Sequence, residues 1–127
     1  MINPYKTITV YIAGPYSEPD QAINVKVAMD AAHELLCYGL VPYCPHLTHF
    51  LHMAYPRSWK EWMEYDEVWL RKCDCVLRLI GVSRGADREV DLAVSLEIPV
   101  FNNLPELLNW VGEEHRKAQL DGWHHGG

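Results

Sequence analysis

The segment from Cys75 to Leu96 restricts the fold more than any other stretch of the chain. Cys75-Val76-Leu77-Arg78-Leu79-Ile80 is a short, mostly apolar run, the pattern of a central parallel strand covered on both faces. Gly81 and Gly85 bracket the next residues, where glycine permits a tight turn and close backbone approach. Ala86, Val90, Ala93, Val94 and Leu96 then recur at helical spacing. A buried strand therefore passes through a short loop directly into a helix.

The same alternation runs through the chain. Thr7-Ile8-Thr9-Val10-Tyr11-Ile12-Ala13 is β-branched and aromatic, a first strand broken at Gly14-Pro15-Tyr16-Ser17. A helix is expected from Pro19 and Asp20, with Val25, Ala28, Met29, Ala32, Leu35 and Leu36 on one face and Gly39 at its end. Leu40-Val41-Pro42-Tyr43-Cys44 reads as a second strand, with Pro42 near its start or at the sheet edge. His46 to Pro56 is a loop or short helix. Ser58 to Lys72 is helical, with Trp59, Trp62, Met63, Trp69 and Leu70 on one stripe. Asp74 to Ile80 is the third strand and Glu97-Ile98-Pro99-Val100-Phe101 the fourth. A last amphipathic helix runs from Leu104 to Lys117 around Leu107, Leu108 and Val111, between a polar lead-in over residues 1–6 and a mobile tail from about 119 to 127.

Strands alternating with helices predict an α/β fold: a single, Rossmann-like (flavodoxin-like), doubly wound parallel-sheet domain spanning residues 1–127. In such sheets ligands bind beyond the carboxyl ends of the strands, where the strand order reverses. A sheet ordered 2-1-3-4 would make neighbours of the Gly14 loop and the Gly81–Gly85 loop.

Charge narrows the partners. The formal net charge is −6 and no basic cluster occurs, which argues against a nucleic acid polymer. No apolar run reaches the length of a membrane span. Cys37, Cys44, Cys73 and Cys75 match no common zinc spacing and, with no secretion signal, are expected to be reduced thiols in a cytoplasm.

Two carboxylates stand out. Glu89 falls one turn into its helix, on the face shared by Ala86, Val90 and Ala93. The helix dipole favours its ionised form, which suits a nucleophile or an electrostatic stabiliser; the alternative is a solvated first-turn glutamate. Asp66 lies within the stripe of Trp62, Met63, Trp69 and Leu70. A carboxyl there either finds donors, such as a tryptophan N–H or backbone, or has a raised pKa of the kind that suits a general acid. Tyr11, three residues before Gly14, is either a packed strand aromatic or the residue that orients a carboxylate. Ser83 and Gly85 at a helix start form either an ordinary N-cap or an anion site. Neither GxGxxG nor GxxxxGK[ST] occurs. Cys44, His46, His49 and His52 invite a zinc reading, but no further ligand is spaced to close a recognised site, so polar lining of a pocket is the expected role of His46. Arg78, inside a buried strand, is expected to pair with a carboxylate or reach toward a ligand.

Four segments together resemble the nucleoside 2-deoxyribosyltransferase-like superfamily, which includes the 2′-deoxynucleoside 5′-monophosphate N-glycosidases. They are Tyr11-Ile12-Ala13-Gly14-Pro15-Tyr16, Asp66-Glu67-Val68-Trp69-Leu70, Asp74 before an apolar strand, and Ser83-Arg84-Gly85-Ala86-Asp87-Arg88-Glu89, which is similar to an S-x-G-x-x-x-E pattern. The resemblance extends from about Thr7 to Phe101. It implies that Glu89 is a nucleophile attacking C1′ of a sugar, that Asp66 assists proton transfer to the departing base, and that Tyr11 holds the nucleophile. It implies a phosphate-contacting role for Ser83 and a substrate loop at Gly14, Pro15, Tyr16 and Ser17. The implied activity is hydrolysis of the N-glycosidic bond of a (2′-deoxy)nucleoside 5′-monophosphate, with no metal or other cofactor. The implied assembly is a homodimer or larger homo-oligomer, with the aromatic helix at 59–70 a candidate interface. The alternatives are base exchange by a deoxyribosyltransferase, and a non-catalytic nucleotide-sensing module, which the charged Ala86-Asp87-Arg88 insertion before Glu89 motivates.

Overall fold

The computed structural model describes the backbone of residues 7–126 and the side chains of residues 7–120; the lead-in expected over residues 1–6 lies outside them. Four parallel strands, β1 (Thr9–Ala13), β2 (Val41–Tyr43), β3 (Cys75–Arg78) and β4 (Val100–Phe101), form one sheet in the order β2-β1-β3-β4. The helices are α1 (Gln21–Cys37), α2 (His49–Ala54), α3 (Trp59–Leu70), α4 (Arg84–Ser95) and α5 (Leu104–Gly126), with a 3-10 turn at Pro45–Thr48 before α2. Among the described residues no helix is long and apolar enough to cross a membrane. None of the four cysteines is in a disulfide.

Side chains alternate across the sheet, as the two-residue period of a strand requires. Ile8, Val10, Ile12, Cys75 and Leu77 point to one face, where Ala28 and Leu35 of α1 and Leu107 and Val111 of α5 cover them. Tyr11, Ala13 and Val76 point to the other, under Leu70 of α3 and Ala86 and Ala93 of α4. The second face is lined by small residues. With alanines at the contact, α4 seats close to the sheet, and Glu89, between them in sequence, is carried against it.

Local signals explain most boundaries. Asp20 caps α1 by accepting from Ile23 N at 3.0 Å. Ser58 caps α3 by accepting from Glu61 N at 3.1 Å, and its own hydroxyl donates to Glu61 Oε1 at 3.5 Å. Helix α1 ends with Gly39 at φ 77° and with Leu40 N bonded to Leu35 O, a Schellman closure.

Several expected boundaries and faces are corrected. Strand β3 stops at Arg78; Ile80 is 95% exposed and Val82 93% exposed, because the chain turns at Gly81 before either can enter the core. Strand β4 does not begin at Glu97. That residue, at φ 59°, closes α4 through Glu97 N to Val94 O and Ile98 N to Ala93 O, the same motif as in α1 but with a side chain in the left-handed position. Met29, Leu36 and Val94 are exposed rather than core, since a helix over a sheet buries only a narrow stripe. The helical backbone of α5 continues past Lys117 to Gly126, where a tail was expected.

Gly81 fixes how the two loops at the carboxyl end of the sheet meet. Its φ is 125°, and a Cβ there would lie 2.6 Å from the Pro15 ring. Gly81→Ala is therefore expected to lower stability by about 1–3 kcal/mol, read from denaturant unfolding. Glu97→Gly is expected to raise it by about 0.5–1 kcal/mol, because glycine enters the left-handed region without the Cβ penalty.

Candidate active site

The carboxyl ends of β1 and β3 are held side by side, with Leu79 N bonded to Ala13 O at 2.8 Å. Above them opens a cavity of about 550 Å³. Gly14, Pro15, Tyr16 and Ser17 form one wall, and Ser83, Gly85 and Glu89 of the α4 start another. Asp66, Trp59, Trp62 and Met63 of α3 supply a third, and His46 closes the floor beside Pro15. Nine of the ten site residues expected from sequence thus line one space. Tyr11 lies beneath, reaching it through Glu89.

Glu89 is 5% exposed. The Tyr11 hydroxyl, itself in the core, donates a short hydrogen bond to its Oε2, and no other donor among the described residues contacts the carboxyl. The expectation that the helix dipole keeps Glu89 anionic is corrected. Burial pushes its pKa up to about 8, because removing a carboxylate from water costs more than the first-turn dipole returns. Asp66 is 9% exposed, and burial raises it to about 7; the Tyr43 hydroxyl offsets part of that rise and Glu67 adds to it. Asp66 Oδ1 has no hydrogen-bond partner among the described residues, so it has neither the tryptophan N–H nor the backbone donor that a structural aspartate would find.

The remaining residues divide between scaffold and cavity wall. Ser83 Oγ accepts from Ala86 N at 3.1 Å, so the hydroxyl caps α4 while facing the cavity. His46 Nε2 donates to Pro15 O at 2.8 Å, and Cys44 Sγ lies 3.9 Å from Nδ1. Burial lowers the His46 pKa and lifts the Cys44 thiol to about 11; a neutral imidazole thus latches the Gly14 loop from below. Tyr16 Oη and His49 Nδ1 are 2.6 Å apart, and His52 Nδ1 accepts from Trp62 Nε1 at 2.8 Å and Arg57 N at 3.2 Å. Each histidine of the zinc reading is therefore engaged separately, and among the described residues no group of three His, Cys, Asp or Glu side chains could hold a metal ion.

Arg78 bonds to Leu79 O, to Gly81 O at 2.9 Å and to Asp87 Oδ1 at 3.1 Å. It ties the loop after β3 to the first turn of α4. Arg88 pairs with Glu67 at 3.0 Å and lies over the Trp59 ring. The charged residues before Glu89 thus point along the outside of α4 and leave the cavity side open. Asp74 binds Thr9 N at 2.9 Å at the opposite end of the sheet and takes no part in the site.

Among the wall residues that sequence reasoning missed, two are aromatic and two are cationic. Trp59 and Trp62 were assigned to the core stripe, yet Trp59 is 53% exposed and both line the cavity. Arg57 and Arg84 were not singled out, although both line it. The signal available was position: Arg84 directly follows the N-cap of α4, and Arg57 directly precedes the N-cap of α3.

Two buried carboxyls with raised pKa values make stability depend on pH. Both titrate near 4 in an unfolded chain. Between about pH 4 and 8 the folded protein holds more protons, so stability falls as pH rises through that window and levels off above the Glu89 value of about 8. Glu89→Gln keeps an acceptor for Tyr11 and removes that residue's share. The variant should match the parent near pH 4 and exceed it near pH 8.5 by a few kcal/mol, measured by denaturant unfolding at each pH; parallel curves would refute the burial argument.

Comparison with known proteins adds little chemistry. No curated protein matches the sequence. A family described as a domain of unknown function, DUF7768, matches residues 8–103, from the start of β1 through β4 and ending just before α5. The cavity walls and both carboxyls fall inside that span, and the chain belongs to this family.

Proposed function

We propose that the protein hydrolyses the N-glycosidic bond of a (2′-deoxy)nucleoside 5′-monophosphate on a Rossmann-like sheet. The observation that carries this reading is the convergence of Glu89 and Asp66, from separate helices, on one cavity, with Tyr11 fixing the first and no partner among the described residues satisfying Oδ1 of the second. Tyr11 occupies Oε2 of Glu89 and leaves Oε1 for attack at C1′. As the C1′–N bond breaks, its electron pair goes to the base nitrogen, which takes the proton of Asp66. Water then attacks C1′, gives a proton to Asp66, and frees Glu89 and the sugar phosphate.

The walls suit the other parts of such a substrate. Trp59 and Trp62 offer aromatic faces to a base. The N-terminus of α4, with Arg84 beside it, offers donors and positive charge to a phosphate. Trp59, Tyr65, Val68 and Trp69 leave much of α3 exposed, and pairing of two chains there is part of the same proposal.

The test is to incubate nucleosides and 5′-monophosphates with the protein and chromatograph for free base, with and without a second base to detect exchange. Base release from at least one monophosphate is expected, lost by about 10³-fold or more in Glu89→Ala. Because the productive form pairs a protonated Asp66 with an ionised Glu89, kcat/KM should be bell-shaped, with limbs at about 7 and about 8. Asp66→Asn should lower the rate by about 10²–10⁴-fold and abolish the alkaline limb. No release from any member of the panel would end the proposal.

A further inference from the structure

Tyr43 sits on β2 directly opposite Tyr11 on β1 in the parallel register. Paired positions point to the same face, and the two rings lie 5.6 Å apart at 34°. The Tyr43 ring also stacks on Trp69, at 5.5 Å and 23°. Trp69 is three residues after Asp66 on α3, so the two share a helix face. The stack therefore seats the Tyr43 ring against the α3 turn that carries Asp66 and Trp69, and each of the two groups alters the other's proton affinity. Tyr43 Oη and Asp66 Oδ1 are both buried, and neither has a hydrogen-bond partner among the described residues. A buried hydroxyl and a buried carboxyl oxygen left unsatisfied are each costly unless one is the other's partner in one state of the site.

We infer that Tyr43 is a positioning residue for Asp66, its hydroxyl holding that carboxyl as the Tyr11 hydroxyl holds Glu89. Two tyrosines at facing positions on neighbouring strands thus serve two carboxyls on neighbouring helices. When Asp66 is ionised, the Tyr43 O–H donates to it. In the glycosidase reading, on which the functional consequence rests, this is the state reached as the proton leaves for the base. Tyr43 then stabilises the charge that develops on the acid, without touching the substrate.

Other groups act on Asp66 and must be separated from Tyr43. Glu67 on its own helix raises its pKa and is paired with Arg88 of α4. Tyr65 acts on Tyr43 from the same helix. Glu89 and Arg84 of α4 face the shared cavity from one side, and His46, His52 and Arg57 from the other, with Glu18 at the loop after β1. Glu89 lines the same cavity and its pKa is also raised by burial, so the experiment is run in a Glu89→Gln background as well as in the parent.

The measurement is a carbon-13 NMR titration of the Asp66 carboxyl, without any substrate. Tyr43→Phe keeps the ring stack and removes the oxygen. The Asp66 midpoint should rise by about one pH unit, roughly tenfold in its ionisation constant, while Tyr11→Phe should leave it in place and raise Glu89 instead. An unmoved Asp66 midpoint in a folded Tyr43→Phe protein overturns the inference. In the unaltered chain, which requires no variant to fold, the Tyr43 Cζ resonance should step at the Asp66 midpoint, and Asp66→Asn should erase that step. Absence of the step also overturns it. Since no turnover is read, a protein that cleaves nothing can still pass, and the failure of one idea is distinguishable from that of the other. If base release is found, Tyr43→Phe should slow natural bases more than leaving groups that depart without a proton, a split that mere loss of packing would not produce.

Discussion

The hydrogen bond from Tyr11 to Glu89 joins the sheet to α4 at the point where the chemistry is proposed. It exists because a strand presents Tyr11 to the face covered by a helix whose contact residues, Ala86 and Ala93, are small. Larger side chains there would hold the helix off and leave Glu89 in solvent. The close approach costs the protein a buried carboxyl with a single protein donor, and Glu89 answers by holding its proton to about pH 8. The site is thus set by a conflict between packing and solvation, settled by protonation rather than by an ion pair.

That conflict is repeated one helix away. Asp66 is flanked on α3 by Met63 and Leu70, which must be buried for α3 to cover the sheet. Two of the neighbouring arginines are engaged elsewhere: Arg88 on Glu67, and Arg78 on Asp87 and two loop carbonyls. These two arginines therefore brace helices and loops, while Arg57 and Arg84 line the cavity. Among the described residues neither acid is in a salt bridge, which leaves both able to exchange protons near neutral pH, as the proposed acid and nucleophile roles require.

The loops are braced with equal economy. His46 holds Pro15 from beneath and Gly81 allows the second loop to lie against the Pro15 ring. Arg78 then fastens that second loop to α4. Rigidity at the back of the cavity contrasts with its mouth, where Val82 and the tryptophan edges are open to solvent. A planar, partly apolar ligand could cover that rim.

Short apolar runs and helical stripes were enough to place all four strands, the start of each major helix and the parallel α/β class, because burial demands a period that sequence displays directly. The candidate carboxyls were legible for the same reason: a charge on an apolar stripe is conspicuous. Three things required the folded chain. The protonation of Glu89 depends on the depth of burial set by other elements, and local dipole reasoning had the opposite sign. The fates of Ile80, Val82, Trp59 and Trp69 depend on where neighbouring elements end, since periodicity marks a face but not what lies against it. The pairing of Tyr43 with Asp66 joins residues from a short edge strand and a helix, and only strand register and ring stacking bring them together. Sequence alone determined which faces are apolar and where helices begin, because those are properties of neighbours along the chain; tertiary structure decided which of those faces are covered, which charges meet and at what proton affinity, because those depend on distances between segments far apart in sequence.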